Sequence, residues 1–300
     1  MNMFYIQIAL FLLSIFIYVN NKSLATELGP KKAPPKVSQK VPNKATNKST
    51  TFKQTDHCIT DNPEEIFEKN NKLLCTDPKE TKEAEELMNE AVKQLEIHAT
   101  DMRNYKLCVV GKGSDPTLYK KKLENNTDVE KFEYEVYGFN RYDEIINEIW
   151  DPDHANPFNS GSVKIARVYN PNLVIIQKRY KKKIGSRQKY FYALATKAQI
   201  SEDTTIIVYV STNINDRNPS KKQYENKIIK KANSFKTDID SEEDIRKGKL
   251  KKTFVNLAGF LIEKKDEFVY ITYILSINGH ASIKHLSLCG IRFSGYCLNE

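Results

Sequence analysis

The stretch that most constrains the fold is residues 249–283, KLKKTFVNLAGFLIEKKDEFVYITYILSINGHASI. Two runs, 253–262 and 268–277, are crowded with Val, Ile, Phe, Tyr and Thr and flank the charged turn Glu263-Lys264-Lys265-Asp266-Glu267. β-Branched and aromatic residues suit a pleated, half-buried surface, so the pattern predicts a long antiparallel hairpin. Alternation puts Val255, Leu257 and Leu261 on one face with Gly259, and Phe254, Ala258, Phe260 and Ile262 on the other. With both faces apolar, neither is simply solvated. One is expected to press on a helix or second layer, the other to line an interior space. Gly259 inside a strand predicts a bend or the close approach of another backbone or a ligand.

The rest of the chain supplies that helix and more strands. Thr76-Asp77-Pro78 is a helix start, and Ala84, Leu87, Met88, Ala91, Leu95 and Ala99 follow at three- and four-residue steps on one stripe. His98 is expected at the helix end, partly exposed. An earlier helical signal lies at Asp61-Asn62-Pro63-Glu64-Glu65. Strand character follows over 105–110, 117–122 and 130–137. A helix over 140–150 buries Tyr142, Ile145, Ile146 and Ile149, and Pro152 ends it by pushing Asp151 out of helical geometry. Strands are expected over 163–169, 173–180, 188–199 and 204–213, then a polar excursion that leads to the hairpin. The tally is α+β: one large curved antiparallel sheet holding a long helix.

The ends read differently. Residues 1–25 look like a secretory signal, with an apolar core over 6–19 and small residues at Ser23-Leu24-Ala25. Residues 26–61 are rich in Pro, Lys, Thr, Asn and Ser and bury too little to offset the entropy of ordering, so they form a disordered basic linker. Secretion places the five cysteines, Cys58, Cys75, Cys108, Cys289 and Cys297, in an oxidising compartment. The odd count leaves at least one free or paired between chains. A helix separates Cys75 from Cys108, and the chain after it is long enough to return, which leaves a Cys75–Cys108 bridge or two buried thiols as alternatives.

No constellation for catalysis is present. The sequence lacks His-Glu-x-x-His, Cys-x-x-Cys, Gly-x-Ser-x-Gly and a Walker loop, and Gly111-Lys112-Gly113-Ser114 reads as a turn. Asp151, Asp153 and His154 are explained by the helix end rather than by a metal. We expect no enzyme and no cofactor. The formal charge of +9 favours anionic partners. Basic clusters occur at 178–183 (KRYKKK), Lys221-Lys222, Lys230-Lys231 and 246–252, with Tyr180, Tyr190, Phe191 and Tyr192 nearby. Such interleaving suits single-stranded nucleic acid or anionic lipid headgroups. The secretion signal favours the membrane surface, with Lys181, Lys182 and Lys183 as its basic contacts, and argues against nucleic acid.

Several long segments carry a resemblance: FYIQIALFLLSIFIYVNNKSLATE, NKLLCTDPKETKEAEELMNEAVKQLEIHAT, YDEIINEIWDPD, the run from Ser162 to Val208, and the hairpin stretch RKGKLKKTFVNLAGFLIEKKDEFVYITYILSINGHASI. They resemble the fam-a proteins exported by rodent malaria parasites, which carry a START-like (StAR-related lipid transfer) domain. The resemblance implies a helix-grip fold over 62–283 enclosing a tunnel for one phospholipid, with phosphatidylcholine the favoured cargo, in a protein exported to the host erythrocyte or vacuole. Candidate lipid contacts are Arg167, Gln177, Arg179, Tyr190, Tyr192, Tyr209 and Tyr273. Two departures stand out. The headgroup arginine and aspartate of phosphatidylcholine-binding relatives fall at Ala155 and Asn159. Residues 284–300 carry Gly290 and Gly295 and no helical stripe, so the closing C-terminal helix looks truncated. The alternative reading is a degenerate exported surface antigen, or a module that binds anionic membranes without transfer.

Overall fold

The computed structural model describes residues 67–111, 115–123, 126–154 and 161–279, all within one compact unit spanning 57–300. The expected signal, linker, first helix signal and C-terminal tail, together with Cys58, Cys289, Cys297, Ala155 and Asn159, lie outside the described residues.

The long helix α1 runs Pro78–Thr100. Asp77 caps it by accepting from the Lys79 N–H at 2.9 Å, and Pro78 occupies the first turn, where a missing N–H costs nothing. Its buried stripe contains all six apolar residues predicted, plus Val92. After it come β1 (Lys106–Val109), β2 (Thr117–Lys122), β3 (Asp128–Tyr137) and α2 (Tyr142–Trp150). Then come β4 (Gly161–Asn170), β5 (Leu173–Tyr180), β6 (Lys189–Ser201) and β7 (Thr204–Val210). The excursion holds β8 (Asn213–Asn215), β9 (Lys236–Asp238), α3 (Glu243–Arg246) and β10 (Lys251–Lys252). The hairpin strands are β11 (Phe254–Lys264) and β12 (Phe268–Asn278).

One sheet orders these strands β1-β2-β3-β12-β11-β7-β6-β5-β4, antiparallel throughout, with β10 added in parallel beside β6. The hairpin is therefore the centre. It joins an N-terminal meander (β1–β3, through β12) to a second meander (β4–β7, through β11). The α+β class with a curved antiparallel sheet is the one expected. The β4 edge is covered by the chain before α1: Leu74 bridges Val168, and the Cys75 N–H donates to the Val168 carbonyl at 2.7 Å.

Each sheet face is packed. On the first, α1 lies across β6, β7, β11 and β12, burying Leu87, Met88, Ala91 and Leu95 against Leu194, Val208, Leu257 and Leu261. The excursion extends this layer through Ile214, Ile229, Phe235, Ile239 and Ile245, so a segment that reads as polar carries core. On the second face, α2 packs on β7 and β11 with Tyr142, Ile145, Ile146, Ile149 and Trp150. Gly259 is where α1 and the sheet approach most tightly: a Cβ there would stand 2.3 Å from the Ile207 carbonyl oxygen and 2.8 Å from Leu95 Cδ1. The expected close approach is thus to β7 and α1.

Three expectations are corrected. Val255 does not share a face with Leu257, because a bulge at Asn256 shifts the register and turns Val255 to the α2 side. His98 is buried, not half exposed: its Nδ1 meets the Tyr105 hydroxyl at 2.9 Å. Cys75 and Cys108 are not bridged, since Cys75 sits at the β4 edge and Cys108 on β1, at opposite ends of the strand order. Their thiols donate to the Asp77 and Lys106 carbonyls instead.

Candidate functional site

Strand parity divides the seven candidate contacts between the two faces. Arg167, Gln177, Arg179, Tyr190 and Tyr192 point to the α1 side, and Tyr209 and Tyr273 to the α2 side.

The first five belong to a polar lock that ties the excursion to the sheet. Arg179 makes a bidentate pair with Asp244 at 2.6 and 2.9 Å, reaches Glu242 at 3.2 Å, and donates from Nε to Gln177 at 3.0 Å. Gln177 donates to Glu242 at 2.7 Å and to the Tyr192 hydroxyl. Arg167 pairs with Glu80 at 2.7 Å and donates to the Asp238 carbonyl at 2.9 Å, while the Tyr169 hydroxyl donates to Glu80 at 2.6 Å. The Tyr190 hydroxyl donates to Asp216 at 2.8 Å, and Lys252 pairs with the same carboxylate at 3.0 Å. Burial pushes Tyr192 up to about 12, with the Gln177 bond opposing the shift. Side chains so fully engaged are structural partners of α1 and the excursion. Beside them, a cavity of about 580 Å³ opens at the β4 edge, lined by Lys72, Asp77, Glu80, Lys164, Arg167 and Tyr192 among others. Its mixed charges make it no place for acyl chains.

The α2 face is different. Tyr273 stacks on Phe260, with centroids 4.5 Å apart, and packs on Phe132 at 5.8 Å, a ladder set by the pairings Phe132–Tyr273 and Tyr273–Phe260. Tyr209 is paired with Ala258 on β11 and Ala195 on β6. Tyr180 meets Phe191 edge-on at 5.9 Å. Burial pushes the phenols of Tyr134, Tyr180, Tyr209 and Tyr273 above the usual tyrosine range. Tyr273 feels Tyr180, Tyr209 and the buried Glu130 carboxylate as well, so it is the hub on which these groups converge. Yet all four tyrosines are only partly buried. Trp150 closes the end of α2 on this face, with the Lys197 ammonium 5.8 Å over its ring. Its indole Nε1 is buried with no hydrogen-bond partner among the described residues. Trp150, Phe132, Phe260, Tyr134, Tyr180 and Glu130 are not among the candidate lipid contacts read from the sequence. The signal was there in the parity of β3, β5 and β12 relative to Tyr273.

The basic residues Lys181, Lys182 and Lys183 occupy the exposed β5–β6 turn. Among the described residues no group of three His, Cys, Asp or Glu is placed to hold a metal, and no helix is long and apolar enough to cross a membrane.

No family model matches the chain, and no curated protein matches it. The solved structures it is similar to are StAR-related lipid transfer domains. Human StAR-related lipid transfer protein 5 is 13% identical over 68% of this chain and 86% of its own, with a TM-score of 0.47. Human STARD10 is 12% identical over 64% of this chain and 68% of its own, with a TM-score of 0.45. The lipid transfer and protein localization domain of human StarD13 is 15% identical over 66% of this chain and 83% of its own, with a TM-score of 0.37.

Proposed function

We propose that this chain is a lipid-binding protein that shelters one phospholipid on the aromatic face of its sheet and carries it between membranes. The observation that carries the reading is the group of Tyr134, Tyr180, Tyr209 and Tyr273, desolvated at the hydroxyl but only partly buried, on a mainly apolar face that also holds the Glu130 carboxylate. Such a surface matches an amphiphile. Acyl chains leaving a bilayer lose about 0.8 kcal/mol of burial per CH₂ and recover it against an apolar wall, so the protein's task is shielding rather than bond chemistry. No covalent step is required, and we propose no enzymatic role.

Phosphatidylcholine is the cargo we propose. A trimethylammonium group is held by the faces of aromatic rings and by a nearby carboxylate, and Tyr209, Tyr273 and Glu130 offer both. Phenol hydroxyls would donate to the phosphate or ester oxygens. Arg167, Gln177, Arg179, Tyr190 and Tyr192 take no part in this scheme. Secretion and action at a parasite–host membrane boundary are part of the proposal and rest on the leader-like N-terminus and the fam-a resemblance.

Purified full-length chain, extracted with organic solvent and assayed by mass spectrometry, tests the reading. About one choline phospholipid per chain is expected. Protein that emerges bare, and stays bare after incubation with phosphatidylcholine vesicles, overturns it and leaves an exported antigen without cargo.

A further inference from the structure

Two basic runs far apart in sequence meet in this fold. β10 pairs in parallel with the start of β6, setting Lys251 beside Lys189, and the Lys251 N–H donates to the Gln188 carbonyl at 2.9 Å. Arg187, at the end of the β5–β6 turn, donates to the Gly248 carbonyl at 3.4 Å. The lysines of the turn and those of 249–251 therefore share one end of the molecule. The charges there divide into two kinds. Arg246, Lys247 and Lys252 are paired with Asp240, Glu243 and Asp216. Lys181, Lys182, Lys183, Arg187, Lys189, Lys249 and Lys251 meet no carboxylate among the described residues. Burial, then Lys251 and Lys183, hold the Lys189 ammonium below its usual range, as a cluster of one sign would.

At the tip of the turn stands Ile184, the most exposed large apolar side chain described, at 106%. Gly185 follows at φ +77, with nothing within 4 Å of where its Cβ would be. An aliphatic side chain projected into water at an end of the molecule rich in cations that meet no carboxylate among the described residues serves no folding purpose. A nucleic acid would use the charges but gains little from an isoleucine, because bases stack on rings. A bilayer uses both: phosphates for the cations, and the interface for the side chain.

We propose that this end of the molecule docks on an anionic phospholipid bilayer, with Ile184 entering the headgroup layer and the exposed Lys181–Lys183, Arg187, Lys249 and Lys251 resting on lipid phosphates. The orientation has a consequence for the cargo reading, on which it rests. Tyr180, at the root of the turn, belongs to the aromatic face, so docking brings that face to the membrane.

The test is sedimentation of the full-length chain with phosphatidylcholine vesicles made with and without phosphatidylserine, for the wild type, Ile184→Asp and the double variant Lys249→Gln/Lys251→Gln. All replaced residues are exposed or at the surface end, and circular dichroism checks that each variant folds. Binding should require phosphatidylserine and weaken with salt. Partition should fall about five-fold for each neutralised lysine and about tenfold or more for Ile184→Asp. Variants that bind like the wild type overturn the proposal. So does a chain that binds a single-stranded oligonucleotide and ignores the vesicles. Bound lipid is measured on the same preparations. Empty protein that docks sinks the cargo reading alone, and loaded protein that ignores anionic vesicles sinks the docking alone.

Discussion

Replacing Gly259 by alanine adds one methyl group at the tightest point between α1 and the sheet. That methyl would lie 2.3 Å from the Ile207 carbonyl oxygen, 2.8 Å from Val208 Cα and 2.8 Å from Leu95 Cδ1. The leucine tip can swing aside, but the other two atoms are β7 backbone, hydrogen-bonded to β11 in the same register. Relief requires the central strands to part. Overpacking of this kind costs about 1–3 kcal/mol. A strained ladder bond adds about 1 kcal/mol. The glycine backbone at φ +156 adds of the order of 1 kcal/mol more for an L-residue. The sum is about 3–5 kcal/mol, a large part of the 5–15 kcal/mol that holds a typical domain together. Urea unfolding measures it, with Gly185→Ala as control. That position has open space and φ +77, so only the conformational cost of about 1 kcal/mol applies. A Gly259→Ala protein within 1 kcal/mol of wild type would refute the claim that α1 closes this face, and with it the assignment of cargo to the other.

Further outcomes separate structural from binding roles. Arg179→Ala strands Asp244, Glu242 and Gln177 and should cost about 2 kcal/mol by urea unfolding, discounted for partial exposure, while lipid bound per folded molecule stays unchanged. The double variant Tyr209→Phe/Tyr273→Phe should do the reverse. Stability should hold within about 1 kcal/mol and phosphatidylcholine retention fall about tenfold, as two hydroxyl donors are lost. His98 supplies a pH signature: burial, with Lys121 and Lys131 nearby, lowers it to about 4, so the folded state keeps it neutral while the unfolded chain protonates near 6.5. Its contribution is whole above about pH 6.5 and is lost as pH falls toward 4. Stability should drop by about 2 kcal/mol between pH 7 and 4.5 on this account, and His98→Gln should flatten that slope in a series of unfolding curves. Cys75→Ser and Cys108→Ser, alone or together, should leave the unfolding midpoint nearly unchanged under oxidising and reducing conditions alike, because no bridge joins them.

Much of the framework was legible because it follows from local periodicity. The stripe from Ala84 to Ala99 marks α1, and the apolar run Leu173–Tyr180 marks β5 to its ends. The hairpin announces itself by its polar turn. What failed to show is what tertiary contact creates. A bulge at Asn256 reverses the facing of Val255, and bulges within β4 place Ile165 and Arg167 on opposite faces. Asn256 is fully buried because Asn226 of the excursion donates to its carbonyl at 2.8 Å, a contact no spacing rule foresees. The excursion looks polar because its core residues are spread singly among lysines and asparagines. In the sequence, tyrosine and arginine stand out by chemistry alone, whereas the division between lock and aromatic face depends on register, which fixes Tyr209 with Tyr273 and sends Tyr190 and Tyr192 to the far side.

The chain's single tryptophan gives the most direct test of the aromatic face as the cargo site. Trp150 is buried on that face, so full-length protein loaded with phosphatidylcholine brominated along one acyl chain should lose most of its indole emission, while the unbrominated lipid leaves it bright. Stoichiometric binding of the brominated lipid with emission undiminished would place the chain elsewhere and contradict the account.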